Sequence, residues 1–236
     1  MSDIWTMMWK ESKDLLFQGG WRSLIRPLFV IGIMGIYLPL QFGPQWVDLT
    51  PLGMLLLLWI PFFVIISFIG DAIAGERERH TLETLLASRM PDRAILLGKV
   101  VATVLYAWGM SVLSLLLGLV LVDLIRTQGH WMFYPLDLFV DALVLSLLVG
   151  VLGASAGVLI SLKVSTVRQA QQILSIGTIV FVFGIIFVVQ AVPANVVSSL
   201  SYSQFLLIVM AFIAVLDAIL LGLSLVSFQR SRLILS

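Results

Sequence analysis

Glu76-Arg77-Glu78-Arg79, followed by Thr81, Leu82, Glu83, Leu85 and Leu86, is the stretch of this 236-residue chain best equipped to recognise another molecule. Leu82, Leu85 and Leu86 stand at i, i+3, i+4 spacing and share one helical face, with Glu83 opposite. Thr81 suits an N-cap, although Thr84 is a poor capping-box partner. Gly75 can break or cap the preceding helix. Pro91-Asp92 stops the short helix and caps the next, which runs on through Gly98-Lys99. The chemistry on offer is recognition: charge pairs beside an apolar ridge that fits a groove. Two readings of these residues stand open. One is a rigid amphipathic helix beneath a bilayer that passes a push from a soluble partner to the spans. The other is a basic loop that only sets topology. Arg77, Arg79, Arg89, Arg93 and Lys99 satisfy the second reading; Glu76, Glu78 and Glu83 do not follow from it, because acids contribute little to topology.

Bond-making chemistry is poorly provided for. There are no cysteines, which removes thiol nucleophiles, disulfides and Cys-ligated metals. His80 and His130 fall on opposite sides of the expected membrane, and neither has a second ligand nearby in sequence. No catalytic, cofactor or metal residue emerges. Gly98-Lys99 is followed by Val100 and has Arg93 where a phosphate-binding loop needs glycine, so the chain carries no G-x-x-x-x-G-K-[ST] motif. Asp217, in the middle of an apolar run, is the sharpest isolated group, since charge inside a span defaults to a functional hypothesis. It reads as a transport-path carboxylate, as a dimer contact, or as a hydrogen-bonded carboxyl that fixes packing against Ser111, Ser114 or Thr178. Asp71, at the end of the second apolar run, caps or pairs near the arginines, or belongs to a gate. Asp137 and Asp141 stand one turn apart and read as a solvated outer face more readily than as a weak cation site. Asp123 and Arg126 are placed to pair.

The elements that must position these groups are membrane helices. The composition is 60% hydrophobic and 11% charged, against about 25% charged in soluble domains. Mean hydropathy is +1.09. The fold class is an all-α integral membrane protein forming a single domain over residues 1–236. Six spans are expected at about 25–43, 51–74, 99–122, 138–162, 173–192 and 205–228, each near the length that crosses a bilayer. Continuous apolar runs exclude a β-barrel. Residues 1–24 are expected to form an interfacial amphipathic helix, with Trp5, Met8 and Trp9 at helical spacing beside Lys10, Glu11, Lys13 and Asp14, serving as a membrane anchor or as an anchor with a docking role as well. Charge in its middle argues against a cleavable signal. Thirteen of the 14 Lys and Arg residues fall on one side and Arg126 alone on the other, which places both termini in the cytoplasm. Gly153-x-x-x-Gly157 permits close helix packing, within the subunit more readily than across a dimer. Pro61 and Gly70, and Gly177 and Gly184, are candidate kinks.

With these residues in place, the stretch Gly75 to Val100 resembles the signature of ABC-2 type transporter permeases. In that family an acidic residue and a Glu-Arg pair run into Gly-Thr-Leu-Glu, two leucines, a Pro turn and a Leu-Gly-Lys. This chain has Glu76-Arg77-Glu78-Arg79, Thr81-Leu82-Glu83, Leu85-Leu86, Pro91 and Leu97-Gly98-Lys99. It departs at His80, where the family usually has glycine, which bears on the local turn. Ser165 to Gln172 resembles the family's polar segment after span four. The resemblance implies a coupling helix between spans two and three that docks on a separate ATP-binding cassette ATPase. The coupling residues would be Glu76, Arg77, Glu78, Thr81, Leu82, Glu83, Leu85 and Leu86. It also implies ATP and Mg on that partner subunit, with no cofactor bound by this chain, and a second permease copy or paralogue completing a dimer. The setting would be the prokaryotic cytoplasmic membrane, with membrane lipid and no nucleic acid as surroundings. The apolar spans favour export of a lipidic, amphipathic or drug-like cargo, with Asp71 and Asp217 as candidate path or gate residues. A self-standing secondary carrier is the alternative; a non-transporting scaffold that binds a soluble partner through 75–99 is another.

Overall fold

Ten helical elements can be named in this computed structural model, which describes residues 2–17, 21–48, 51–78, 91–125, 131–191 and 202–228. They are α1 (Ser2–Phe17), α2 (Trp21–Val30), a π-helical stretch (Ile31–Tyr37), α3 (Leu38–Phe42), α4 (Pro44–Val47), α5 (Pro51–Glu78), α6 (Asp92–Ile125), α7 (Leu136–Lys163), α8 (Val167–Ala191) and α9 (Tyr202–Ser227). Three of the described helices, α6, α7 and α9, are long and apolar enough to cross a membrane.

α7 is the central element, packing on α5, α6, α8 and α9. Its sequence explains that position. Gly150, Gly153, Ala154, Ser155 and Gly157 are all buried and let neighbouring helices approach closely. A Cβ added at Gly157 would collide with Ile69 of α5, and one at Gly153 would lie 3.3 Å from Cγ2 of Ile65. The small-residue pattern therefore packs inside the subunit. One turn on, the Ala74 amide donates to Ser161 Oγ at 2.8 Å. α9 is held on α7 by Ser224 Oγ, which donates to the Ser155 carbonyl at 3.2 Å. The opposite faces of α8 and α9 are apolar and exposed, Ile176, Phe183 and Phe187 on one, Phe212, Val215 and Ile219 on the other. An apolar exposed face suits lipid or a second membrane subunit.

The first expected span is not one regular helix. It runs as α2, the π-helical stretch and α3, with Pro27 inside α2. The Leu38 amide donates to the Ile33 carbonyl, the i→i+5 bond that defines the wider coil. Gly35 sits where a Cβ would be 3.3 Å from the Ser114 Cα, so the coil lies directly on the α6 backbone. The chain then breaks at Gly43, whose φ of 56° favours glycine, before the single turn of α4.

One boundary differs from the sequence expectation and another agrees with it. α5 continues through Gly75 to Glu78 without a break. Gly75 is buried there, so its small size serves close packing within a continuing helix. α6 begins at Asp92, immediately after Pro91, where a new helix is expected to be capped. Pro91 has no amide to lose, and its carbonyl accepts from the amides of Ala94 and Ile95 at 2.8 and 3.2 Å.

Candidate functional site

The termini of α5, α6 and α7 that carry Glu78, Asp92 and Lys163 meet at one end of the bundle, where α1 also packs. The assembly begins with Gly98. A Cβ there would lie 2.7 Å from both Cβ and Cγ of Met7, so glycine is what lets α1 rest on α6. Met7 is fully buried in this contact and belongs to the core formed by Ile95, Leu96, Val100 and Ile69.

Lys99 follows directly. Its side chain is only 3% exposed, and its Nζ donates to Glu11 Oε1 at 2.8 Å and to Glu76 Oε1 at 2.9 Å. The two carboxylates are each 14% exposed. A buried ammonium is tolerated only when paired and hydrogen-bonded, and here one cation serves two anions. The three residues belong to α1, the last turn of α5 and the second turn of α6. The triad thus joins the N-terminal helix to both helices that bracket residues 79–90. On the other face of α1, Trp5 and Trp9 are exposed, and Lys13 Nζ lies 5.0 Å from the centre of the Trp9 ring.

The expected coupling residues divide. Glu76 turns inward to Lys99 in this conformation, with its side chain 14% exposed. Glu78 is exposed at the end of α5. Arg77 lies in the last turn of α5, with its side chain outside the described residues. Thr81, Leu82, Glu83, Leu85 and Leu86 lie outside the described residues, as do His80, Arg126 and His130. Asp71 is within α5, and its side chain is likewise not described.

Asp217 sits on the buried face of α9, one turn beyond Ile213 and two before Ser224, and is 5% exposed. Neither of its carboxyl oxygens has a hydrogen-bond partner among the described residues. The expected packing bonds are not made. Ser111 and Thr178 turn back to the carbonyls of Ala107 and Leu174 on their own helices. A β-hydroxyl in a helix has its own i−4 carbonyl within reach; the third candidate, Ser114, has a buried hydroxyl with no hydrogen-bond partner among the described residues. Beside α9, an apolar crevice of about 250 Å³ opens between α6, α7 and α9, bordered by Val101, Leu105, Leu147 and Leu221.

At the far end, Gly118 makes room for Trp46 and Pro39, and the Tyr134 hydroxyl donates to the Leu115 carbonyl at 2.9 Å. Asp123 is buried and accepts from the Met132 amide at 3.0 Å. Burial raises the Tyr134 phenol above its ordinary value, and the Asp123 carboxylate adds to that shift. Among the described residues there is no cluster of three or more His, Cys, Asp or Glu that could hold a metal.

The Lys99 triad and the Trp46–Tyr134 cluster are the groupings that reading the chain alone missed. Lys99 and Glu11 are 88 positions apart, and only the adjacent Gly98 hints that something must pack there. The sequence model of one protein family, described as ABC-2 family transporter protein, matches residues 28–235. Comparison with individually curated proteins gave no match.

Proposed function

This chain belongs to the ABC-2 transporter family, and from that premise we propose that it is the permease subunit of an ATP-driven transporter. It would work with a separate ATP-binding cassette subunit that carries ATP and Mg, and with a second permease, identical or paralogous. In this reading six spans cross the prokaryotic cytoplasmic membrane with both termini inside. Residues 79–90 form the coupling element. Thr81, Leu82, Glu83, Leu85 and Leu86 provide its docking face, flanked by Arg77 and Glu78; Glu76 anchors its entry from within. Closure of the ATPase pushes this element and re-exposes a path between the two permeases. The cargo is lipidic, amphipathic or drug-like and is exported, in keeping with the wholly apolar crevice beside α9. Asp71 and Asp217 are its path or gate residues.

The observation that carries this reading is the bracketing of 79–90. α5 and α6 are continuous helices on either side of it, and Lys99–Glu76 ties their adjoining ends together. A push on the segment is therefore delivered to two rigid helices at once. The test is purification from the native membrane in mild detergent. An ATPase subunit at one to one is expected, and it should be lost on replacing Leu85 and Leu86 with Asp while membrane insertion persists. A complex without any ATPase would overturn the reading in favour of a carrier or scaffold, and an undiminished ATPase in the double variant would remove the coupling role of 79–90.

A further inference from the structure

Resting on the permease reading above, we propose that Lys99 clamps α1 to both ends of the 79–90 segment, making the N-terminal helix a moving part of the coupling machinery and Glu11 its positioning residue. Three observations carry this. First, Glu76 alone would neutralise Lys99, so burial of the lysine does not require Glu11. What the Glu11 carboxylate adds, at 2.8 Å from the same nitrogen, is a polar attachment for α1. Second, the attachment is seated on a shape-specific contact. Gly98 admits Met7 to within the space its own Cβ would occupy, and Met7 is fully buried. Polar and apolar contacts therefore fix α1 at adjacent residues of one helix turn. Third, α1 presents Trp5, Trp9 and Lys13 on its free side, the residue types that rest at a membrane surface. α1 precedes the residues matched by the family, 28–235, so the Glu11 arm of the triad lies outside that matched region. The triad carries one positive and two negative charges. Without Lys99, two carboxylates would face each other about 6 Å apart at most, and their repulsion would part α1 from α5.

The test uses pairs of nitroxide labels, which the absence of cysteine makes site-specific. Lys13→Cys with Arg93→Cys reports α1 against α6, and Glu78→Cys with Arg93→Cys reports α5 against α6; all three positions are exposed. Distances are measured on the permease with its co-purified ATPase in lipid nanodiscs, with and without nucleotide trapped by vanadate. With the triad intact, the 13–93 distribution is expected to be narrow and unchanged by trapping. Glu11→Gln, which leaves Lys99–Glu76 in place and should fold, is expected to broaden the 13–93 distribution and spare the 78–93 one. Lys99→Gln is expected to broaden both. A narrow 13–93 distribution in Glu11→Gln overturns the clamp, as does a 13–93 distance that changes on trapping with the triad intact. Were no ATPase to co-purify with the unlabelled, unsubstituted chain, the permease reading would fail, and the nucleotide-free widths in Glu11→Gln would still support or overturn the clamp.

Discussion

Gly157→Ala adds one methyl group to the centre of the bundle, and the structure says what that methyl meets. It would collide with Cγ2 of Ile69, and it would stand 3.1 Å from Cγ1 and 3.2 Å from Cβ of the same residue. Rotating Ile69 about χ1 can move the γ carbons but not Cβ. The α5 and α7 axes must therefore separate by a few tenths of an ångström along the largest helix pair in the fold. Overpacking of this kind costs about 1–3 kcal/mol, which is roughly 5- to 150-fold in the folded ratio when 1.4 kcal/mol is tenfold. The same substitution at Gly222 of α9 is the internal control. Nothing lies within 4 Å of the position a Cβ would take there, and alanine in a helix is favoured over glycine by about 0.5–1 kcal/mol. Thermal unfolding of the detergent-solubilised protein should place Gly157→Ala below the wild type and Gly222→Ala at or above it. Ile69→Ala removes both γ carbons and should relieve most of the clash, so the double variant with Gly157→Ala should be more stable than the sum of the single losses by about 1 kcal/mol. Equal stability of the two glycine variants, or strict additivity in the cycle, would refute the claim that this glycine sets the α5–α7 distance.

Two other outcomes follow from buried groups. Asp217→Leu removes a buried carboxyl without a hydrogen-bond partner among the described residues and should raise thermal stability, by about 1–3 kcal/mol if the full desolvation penalty is relieved; Asp217→Asn should leave it near wild type, and a destabilised leucine variant would show that the carboxyl makes an essential contact. Gly118→Ala would bring a methyl to 2.7 Å from Trp46 Nε1 and 2.9 Å from Pro39 Cγ; Trp46 should be displaced, visible as a changed tryptophan emission spectrum that is absent when Trp46 is first replaced by Phe.

Local signals in the chain foretold the local structure. Pro91-Asp92 marked the start of α6, because proline can only open a helix there. Gly153 and Gly157 marked a close helix contact, and the buried Ile65 and Ile69 fill it. The first apolar run has its expected end at about residue 43, and the chain breaks at Gly43. Where packing overrode local preference, the chain was silent. Gly75 looked like a helix end, yet α5 runs through it, because burial there rewards a missing side chain inside a helix. The π-helical stretch has no signature of its own; it lies where Gly35 meets the α6 backbone. Of the candidate site, Glu76 was singled out for its charge, but its partner was not visible, because Glu11, Glu76 and Lys99 are brought together only by the packing of three helices. Asp217 was legible as an acid in an apolar run, whereas its lack of a hydrogen-bond partner among the described residues has no signature in the chain.

α6 also acts as a ruler. Lys99, held in its ion triad, and Asp123, held on the Met132 amide, are 24 residues apart on one continuous helix, which at 1.5 Å per residue is about 36 Å. The hydrocarbon slab of an average bilayer is about 30 Å thick. With α6 upright, both polar assemblies already lie about 3 Å outside that slab, in the headgroup layers, and α6 can tilt by up to about 34° before either is drawn into the hydrocarbon. Neither end can slide along the helix, because each is fixed by contacts to other parts of the chain. The acyl-chain length of the host lipid therefore caps the inclination open to α6: a thicker bilayer holds it closer to upright, and a thinner one lets it lean further.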